Sequence, residues 1–371
     1  VKLRAIELRS VHLPLLSPFR TSHGTESARE ALVLRVESDD GEGWGECVAG
    51  SDPLYCPEYL EEAWLTLKRY LAPALLGAPG LTATDVQPLL HEFKGHRMAK
   101  AALEMAVLDA ELRAAGVSFA AYLGGVADVV TPGIALGIMS SVDELQDRVS
   151  ESLEAGYRRV KLKICPGWDL VPVAAVRDRF GENLMLQVDA NSAYQRADID
   201  HLACLDPFCL LLIEQPLEDD DLIGHAQLAR RITTPVCLDE SIVSVHSAAT
   251  AISLGACSIV NIKAGRVGGY LEARAVHDFC TSQGVGVWCG GMLETGLGRA
   301  ANLALASLPG FTLPGDISAT DRYFHEDITP PFRLVDGTIA VPTGPGLGVE
   351  VLRPVLDALT TRFEALAGAE H

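Results

Sequence analysis

LMLQVD (184–189), LLLIE (210–214) and PVCLD (235–239) are three apolar runs that each end on an acid, and those acids, Asp189, Glu214 and Asp239, stand 25 residues apart. RVKLKI (159–164) lies one interval upstream and SIVNIK (258–263) one downstream; Lys163 falls 26 residues before Asp189 and Lys263 falls 24 after Asp239. A repeat of this length fits one strand, one helix and two short loops, and regular strand–helix alternation signals a parallel sheet. Residues at the C-terminal ends of barrel strands read as catalytic. Five successive strand ends would thus present Lys, Asp, Glu, Asp and Lys to one pocket.

Strand parity sharpens this reading. With a period of two, Val160, Leu162 and Ile164 share one face of their strand and Lys161 and Lys163 the other. In a barrel the apolar face meets the surrounding helices, which leaves two ammonium groups about 7 Å apart pointing inward. Two lysines inside a core are costly without anions or a functional reason. The same parity places Asp189 with Asn191, and Asn261 with Lys263.

Working outward, further strand runs are GIALGI (133–138), GVGVWC (284–289) and FTLPGD (311–316), with helical stretches such as VDELQDRVSESLEAG and SAATAISLG between them. Eight strands predict a closed α/β barrel over 126–329, although the period alone also suits an open doubly wound sheet. Residues 1–125 read as α+β: a strand over Lys2 to Leu13, the loop SPFRTSHGTES, and a hairpin turning at Asp40-Gly41. Helical patterns follow at 58–74, 83–94 and 97–115. In the last, Ala102, Met105, Ala106, Leu108 and Leu112 form an apolar face, and Gly116 sits where a C-cap belongs. Segment 330–371 contains the turn PTGPGLGVE and a terminal helix, and is expected to pack back on the first domain.

At 371 residues the chain exceeds a single core, in keeping with a barrel plus a smaller domain. A net charge of −19 excludes nucleic acid and anionic membrane as natural partners, though not a small anionic substrate, because a buried cation and lysines reverse the sign locally. No run of about 18 apolar residues predicts a transmembrane helix. Nine scattered cysteines without CxxC, and an N-terminal VKLRAIELRSVHLPL that alternates like a strand rather than a signal peptide, predict a cytoplasmic location.

Three carboxylates without His or Cys select a hard divalent ion, Mg²⁺ or Mn²⁺, over zinc, and leave positions for water or substrate. Such an ion offsets the charge that builds when the carbon beside a substrate carboxylate loses its proton; enolase-type sites pair this arrangement with a Lys or His base. The base must be neutral, and burial, a nearby cation and a second lysine all push a lysine in that direction.

The motifs KLK, VDAN, IEQP, LDES, NIKAGRVGG and WCGGMLETG, in this order and spacing, resemble the enolase superfamily, specifically its muconate lactonizing enzyme subgroup. PFRTSHG and GHRMAKAALEMAVLDAEL extend the resemblance over nearly the whole chain, which looks most like the o-succinylbenzoate synthase / N-succinylamino acid racemase branch. The resemblance implies a (β/α)7β TIM-like barrel capped by an α+β domain, a homo-oligomer, and Mg²⁺-dependent α-proton abstraction from a small-molecule carboxylate through an enolate. The product would be o-succinylbenzoate, for menaquinone biosynthesis, or an inverted N-succinylamino acid.

By position, Asp189, Glu214 and Asp239 match the metal ligands, Lys163 the acid/base and Lys263 the lysine on the opposite face. Lys161 and Asn191 match groups supporting the substrate carboxylate and the metal. Gly290, Gly291, Met292 and Leu293 match the segment lining the acyl end. Phe19, Arg20 and Tyr55 match capping-loop specificity positions, Glu240 matches an acid beside the metal strand, and Arg266 is placed to tune Lys263. Two departures stand out: Ala264 replaces a frequent proline, and Ala135 replaces a serine of some racemases. GDIS carries Asp316 but Ser318 where dipeptide epimerases have Asp-x-Asp, which disfavours a dipeptide.

Other readings of the same residues remain. An acid ending a strand is commonly a solvated cap, Glu240 lies on the opposite parity from Asp239 and suits a structural ion pair, and GGMLETG suits a tight turn with Glu294 capping the next helix. Muconate cycloisomerase-type lactonization uses a similar lysine and metal set, and a non-catalytic metal-binding barrel is the alternative outside the enzymes.

Overall fold

The computed structural model describes residues 2–368. Three long strands, β1 (Leu3–Arg20), β2 (Thr25–Ser38) and β3 (Gly41–Cys47), run as an antiparallel meander. The β2–β3 turn closes at Gly41, whose φ of +136° is open only to a residue without Cβ. The helix Arg97–Ala115 lies across β3 and ends at Gly116 in the left-handed conformation. Its approach is close because Gly43 and Gly45 present bare backbone: a Cβ at either would strike the carbonyl of Ala106 or Ala102. The apolar face expected for this helix is buried throughout.

The short strand β4 (Val129–Val130) leads into seven parallel strands: β5 (Ile134–Leu136), β6 (Arg159–Lys163), β7 (Met185–Asp189), β8 (Ile213–Glu214), β9 (Val236–Leu238), β10 (Ile259–Ile262) and β11 (Gly286–Cys289). They are hydrogen-bonded in chain order, and Lys163 pairs with Asp189, and Asp189 with Glu214. The eighth expected run, 311–316, forms no regular strand. It makes two parallel bridges, Phe311 to Val287 and Gly315 to Pro132, and so joins β11 back towards β5. Pro314 in the middle of the run has no N–H to give a ladder, which accounts for its reduction to bridges. The fold is mixed α/β, a curled parallel sheet with a separate antiparallel sheet as its cap.

The C-terminal segment departs from expectation. After β12 (Ile339–Ala340), which pairs with β4, a helix spans only Arg353–Leu359, and Thr360–Ala367 is a strand, β13, antiparallel to β1. The open edge of β1 supplies backbone partners that outweigh the helical preference of the last residues. PTGPGLGVE is a turn, tied down by the Asp109 carboxylate accepting from the Leu347 N–H at 2.7 Å. No helix among the described residues is long and apolar enough to cross a membrane, and the nine cysteines are free thiols.

Candidate active site

On β6 the side chains of Arg159, Lys161 and Lys163 alternate with Val160 and Leu162 and occupy successive levels of the barrel interior. Arg159, fully buried, donates to Asp316 Oδ1 and to the Pro314 carbonyl, each at 2.7 Å, and lies over the Trp288 ring. Gly133 on the adjoining segment makes room for this guanidinium, where any Cβ would collide. One level up, Lys161 Nζ is held by Glu214 (2.9 Å), Asp189 (3.0 Å) and Asp316 (2.5 Å). At the top, Lys163 Nζ donates to Asp189 Oδ2 (2.7 Å) and Asn191 Oδ1 (2.6 Å).

Across the sheet, Lys263 follows the last residue of β10 and donates to Asp239 Oδ2 at 2.7 Å and to the Tyr55 hydroxyl at 3.1 Å. Tyr55 comes from the cap and donates in turn to Asp239 Oδ1 at 3.1 Å. Asn261, inward on β10 in step with Lys263, donates to Glu214 Oε1 at 2.7 Å. Arg266 is buried, pairs with Asp239 and donates to the Ile242 carbonyl at 2.7 Å, so it shares a carboxylate with Lys263. Glu240 accepts from Asn191 Nδ2 at 2.9 Å, while its other oxygen is buried without a partner. Against the ion-pair alternative, Glu240 pairs with no described cation and its hydrogen-bond partner is an amide.

The electrostatics follow from this packing. Burial alone would raise the Asp189 carboxyl, but Lys163 and Lys161 override it and hold Asp189 far below the carboxylate range. Glu214 moves the other way, raised by burial and by the charge of Asp189. Burial, then the Asp189 charge, push Glu240 up to about 7. Burial opposes the charges on Lys161 and Lys263, yet the surrounding acids prevail: Asp316, Glu214 and Asp189 keep Lys161, and Tyr55, Glu240 and Glu214 help keep Lys263, above the ordinary lysine value. The downward push expected from burial is thus present at Lys263 but is outweighed by these neighbours.

Four of the seven described non-glycine residues with positive φ, Asn191, Ser192, Gln215 and Leu293, lie just past the ends of β7, β8 and β11. Backbone strain of this kind collects where a fold over-determines a functional arrangement. Gln215 is an example: its side-chain oxygen accepts from the Asp239 N–H at 2.9 Å and its amide donates to Ser241, which fixes the end of β9.

The expected residues are distributed as follows. Lys161, Lys163, Lys263, Asn191, Gly291, Met292, Leu293, Phe19 and Tyr55 line one cavity between barrel and cap. Asp189, Glu214 and Asp239 are buried just beneath, as partners of its lysines. Gly290 lies behind Lys263, where a Cβ would strike the side chains of Asn261 and Lys263. Arg20 is exposed and does not line the cavity, because consecutive residues of β1 point to opposite faces and Phe19 takes the inward one. Its carbonyl meets the barrel, accepting from the Ile138 N–H at 2.8 Å. Glu294 does not cap the following helix. It accepts from the Met292 N–H (2.8 Å) and Asn302 (2.9 Å), and Thr295 is the cap. Among residues the motifs did not bring forward, Arg159 shares the parity of Lys161 and was detectable on that ground, whereas Arg29 and Arg299 also line the cavity without any periodic signal.

The donor set fits a hard divalent cation. Asp189, Glu214 and Asp239 stand at or just past the ends of consecutive strands, offer only oxygen, and are each at most 1% exposed. Their present partners are themselves cations, and the carboxylates turn towards those amines; among the described residues no three acidic, His or Cys side chains converge as a ready-made cage.

Comparison with known proteins places this geometry. Residues 4–124 match the family model for the mandelate racemase / muconate lactonizing enzyme N-terminal domain, and residues 144–355 match the enolase C-terminal domain-like model. An N-succinylamino acid racemase from Amycolatopsis sp is 63% identical over 97% of this chain and 98% of its own. An o-succinylbenzoate synthase from Geobacillus kaustophilus is 43% identical over 97% of this chain and 96% of its own. A crystal structure of an enolase-superfamily member from Listeria innocua superposes with a TM-score of 0.95 at 39% identity, covering 99% of both chains.

Proposed function

Because the chain belongs to the mandelate racemase / muconate lactonizing enzyme family of the enolase superfamily, an enzyme family that uses a divalent metal, we propose that it removes the α-proton of a small carboxylate bearing a succinyl group, with Mg²⁺ as the ion. The reaction is racemisation of an N-succinylamino acid, formation of o-succinylbenzoate, or both. The observation that carries this reading is the pair Lys163 and Lys263. They stand at the ends of strands four places apart in the sheet and enter one cavity from opposite walls.

A divalent ion held by Asp189, Glu214 and Asp239 would offset the substrate carboxylate and take over the acids that now pair with the lysines. Lys163 Nζ then accepts the α-proton from one face, and Lys263 Nζ returns one from the other. In dehydration, Lys163 gives its proton to the departing hydroxide and Lys263 stays cationic beside the enolate charge. Lys161 orients the carboxylate, and Tyr55 and Phe19 close the cavity against water. A dipeptide is disfavoured because Asp316, the residue placed to meet its ammonium, already holds Arg159 and Lys161.

The test is N-succinyl-phenylalanine with Mg²⁺ in D₂O, followed by NMR and polarimetry. Deuterium exchange with loss of optical rotation, stopped by EDTA, is the expected result for the racemase. Exchange without inversion leaves one working base and favours the synthase; no exchange overturns the proposal.

A further inference from the structure

Five Lys or Arg side chains line the cavity: Arg29, Lys161, Lys163, Lys263 and Arg299. Four of them are engaged. The three lysines are paired with acids, and Arg299 donates to the Ser318 and Glu294 carbonyls. Arg29 is different. It is 2% exposed, its Nε and Nη2 are buried without a hydrogen-bond partner, and its guanidinium forms no ion pair with a described residue.

A buried guanidinium with no anion is among the least favourable arrangements a protein can hold. Arg29 occupies the inward face of β2, in step with Ala31 and Val33, at the point where that face passes from apolar core to cavity wall. Glu46 lies within range of its charge. The Glu46 oxygens are, however, taken by the Thr295 N–H and hydroxyl and by the Gly298 N–H, so Glu46 is not its partner.

A substrate of the proposed class carries two carboxylates. The one beside the reacting carbon belongs with the lysines and acids of the barrel; the other ends the succinyl tail and needs a cation of its own. We infer that Arg29 is the anchor for the tail carboxylate, its guanidinium meeting it from the cap wall with the paired donors that match a carboxylate edge to edge. The assignment rests on the reaction proposed above. It makes Arg29 the residue that selects succinyl over uncharged acyl groups.

The experiment compares N-succinyl-phenylalanine with its tail amide, N-succinamoyl-phenylalanine, in the D₂O exchange assay. A charge-assisted pair predicts that wild type prefers the succinyl compound in kcat/KM by roughly 10- to 100-fold, carried mainly by KM. In Arg29→Gln the ratio should fall to near one, and Arg29→Lys should keep part of it. Because Arg29 has no partner in the free protein, ligand-free Arg29→Gln should also melt above wild type. A ratio unchanged by Arg29→Gln, or a lower melting temperature, would show Arg29 to be a structural counter-charge. Equal exchange of both tails by wild type would overturn the assignment and leave the reaction standing, while exchange of neither would overturn both.

Discussion

A methyl group at position 290 would collide with Asn261 and with the stem of Lys263. Gly290 is therefore a constraint on where an amine can stand, not a lining residue. Displacing a reacting group by an ångström costs about 100-fold in rate. Gly290→Ala should lower kcat for α-proton exchange by about that factor and, as overpacking of a buried site does, also lower the thermal midpoint by a few degrees, which steady-state kinetics and a melt together would check. Lys163→Ala should reduce exchange by about 10²- to 10⁴-fold, the range for losing a general base. Retained activity would remove Lys163 from the mechanism.

At the scale of elements, the buried Glu46 and Glu104 and the half-buried Glu58 serve the free N–H groups at helix starts. Glu58 accepts from Met98 and Ala99, Glu46 from Thr295 and Gly298, and Glu104 from Leu271. Burial is the main reason each is pushed up to about 7. The sign follows: between the ordinary carboxyl value and pH 7 the folded chain binds more protons than the unfolded one, so stability falls as pH rises through this window and levels off above it. Asp189 and Asp316 act oppositely, but only at pH well below it. Urea unfolding should thus give a higher midpoint at pH 5 than at pH 8, although buried His225, held at about 4, offsets part of the difference, and the pH dependence should be shallower in Glu58→Gln. Much of this scale was legible in sequence, since β6 to β10 announce themselves by period and by an ionic residue at or just past their ends. β13 was not, because its partner is β1, more than 340 residues away, and local preference carries no information about an open edge. Arg29 was equally hidden: one basic residue in a strand looks solvated until the fold shows which face is covered.

For the whole molecule, charge is the governing quantity. The acids expected to hold an ion are spaced by strands, which makes them readable in sequence, but their pairing with Lys161, Lys163 and Lys263 depends on how the sheet curls and was not. A ligand that binds only the folded chain stabilises it by mass action, about 2.7 kcal/mol at a hundredfold excess over Kd. Mg²⁺ at such excess should raise the melting temperature of wild type by several degrees and leave Glu214→Gln nearly unmoved. An equal shift in both would mean that the ion binds elsewhere on a surface carrying a net charge of −19.

The run 311–316 meets its neighbours through only two bridges, yet it carries Asp316, whose carboxylate grips Arg159 and Lys161. The ring is thus fastened at its seam less by backbone than by the ions of its own lumen, like a hoop closed with a clasp. Neutralising that clasp in Asp316→Asn should loosen the circumference before it alters any chemistry, and the first amides to exchange with solvent should be those of the seam.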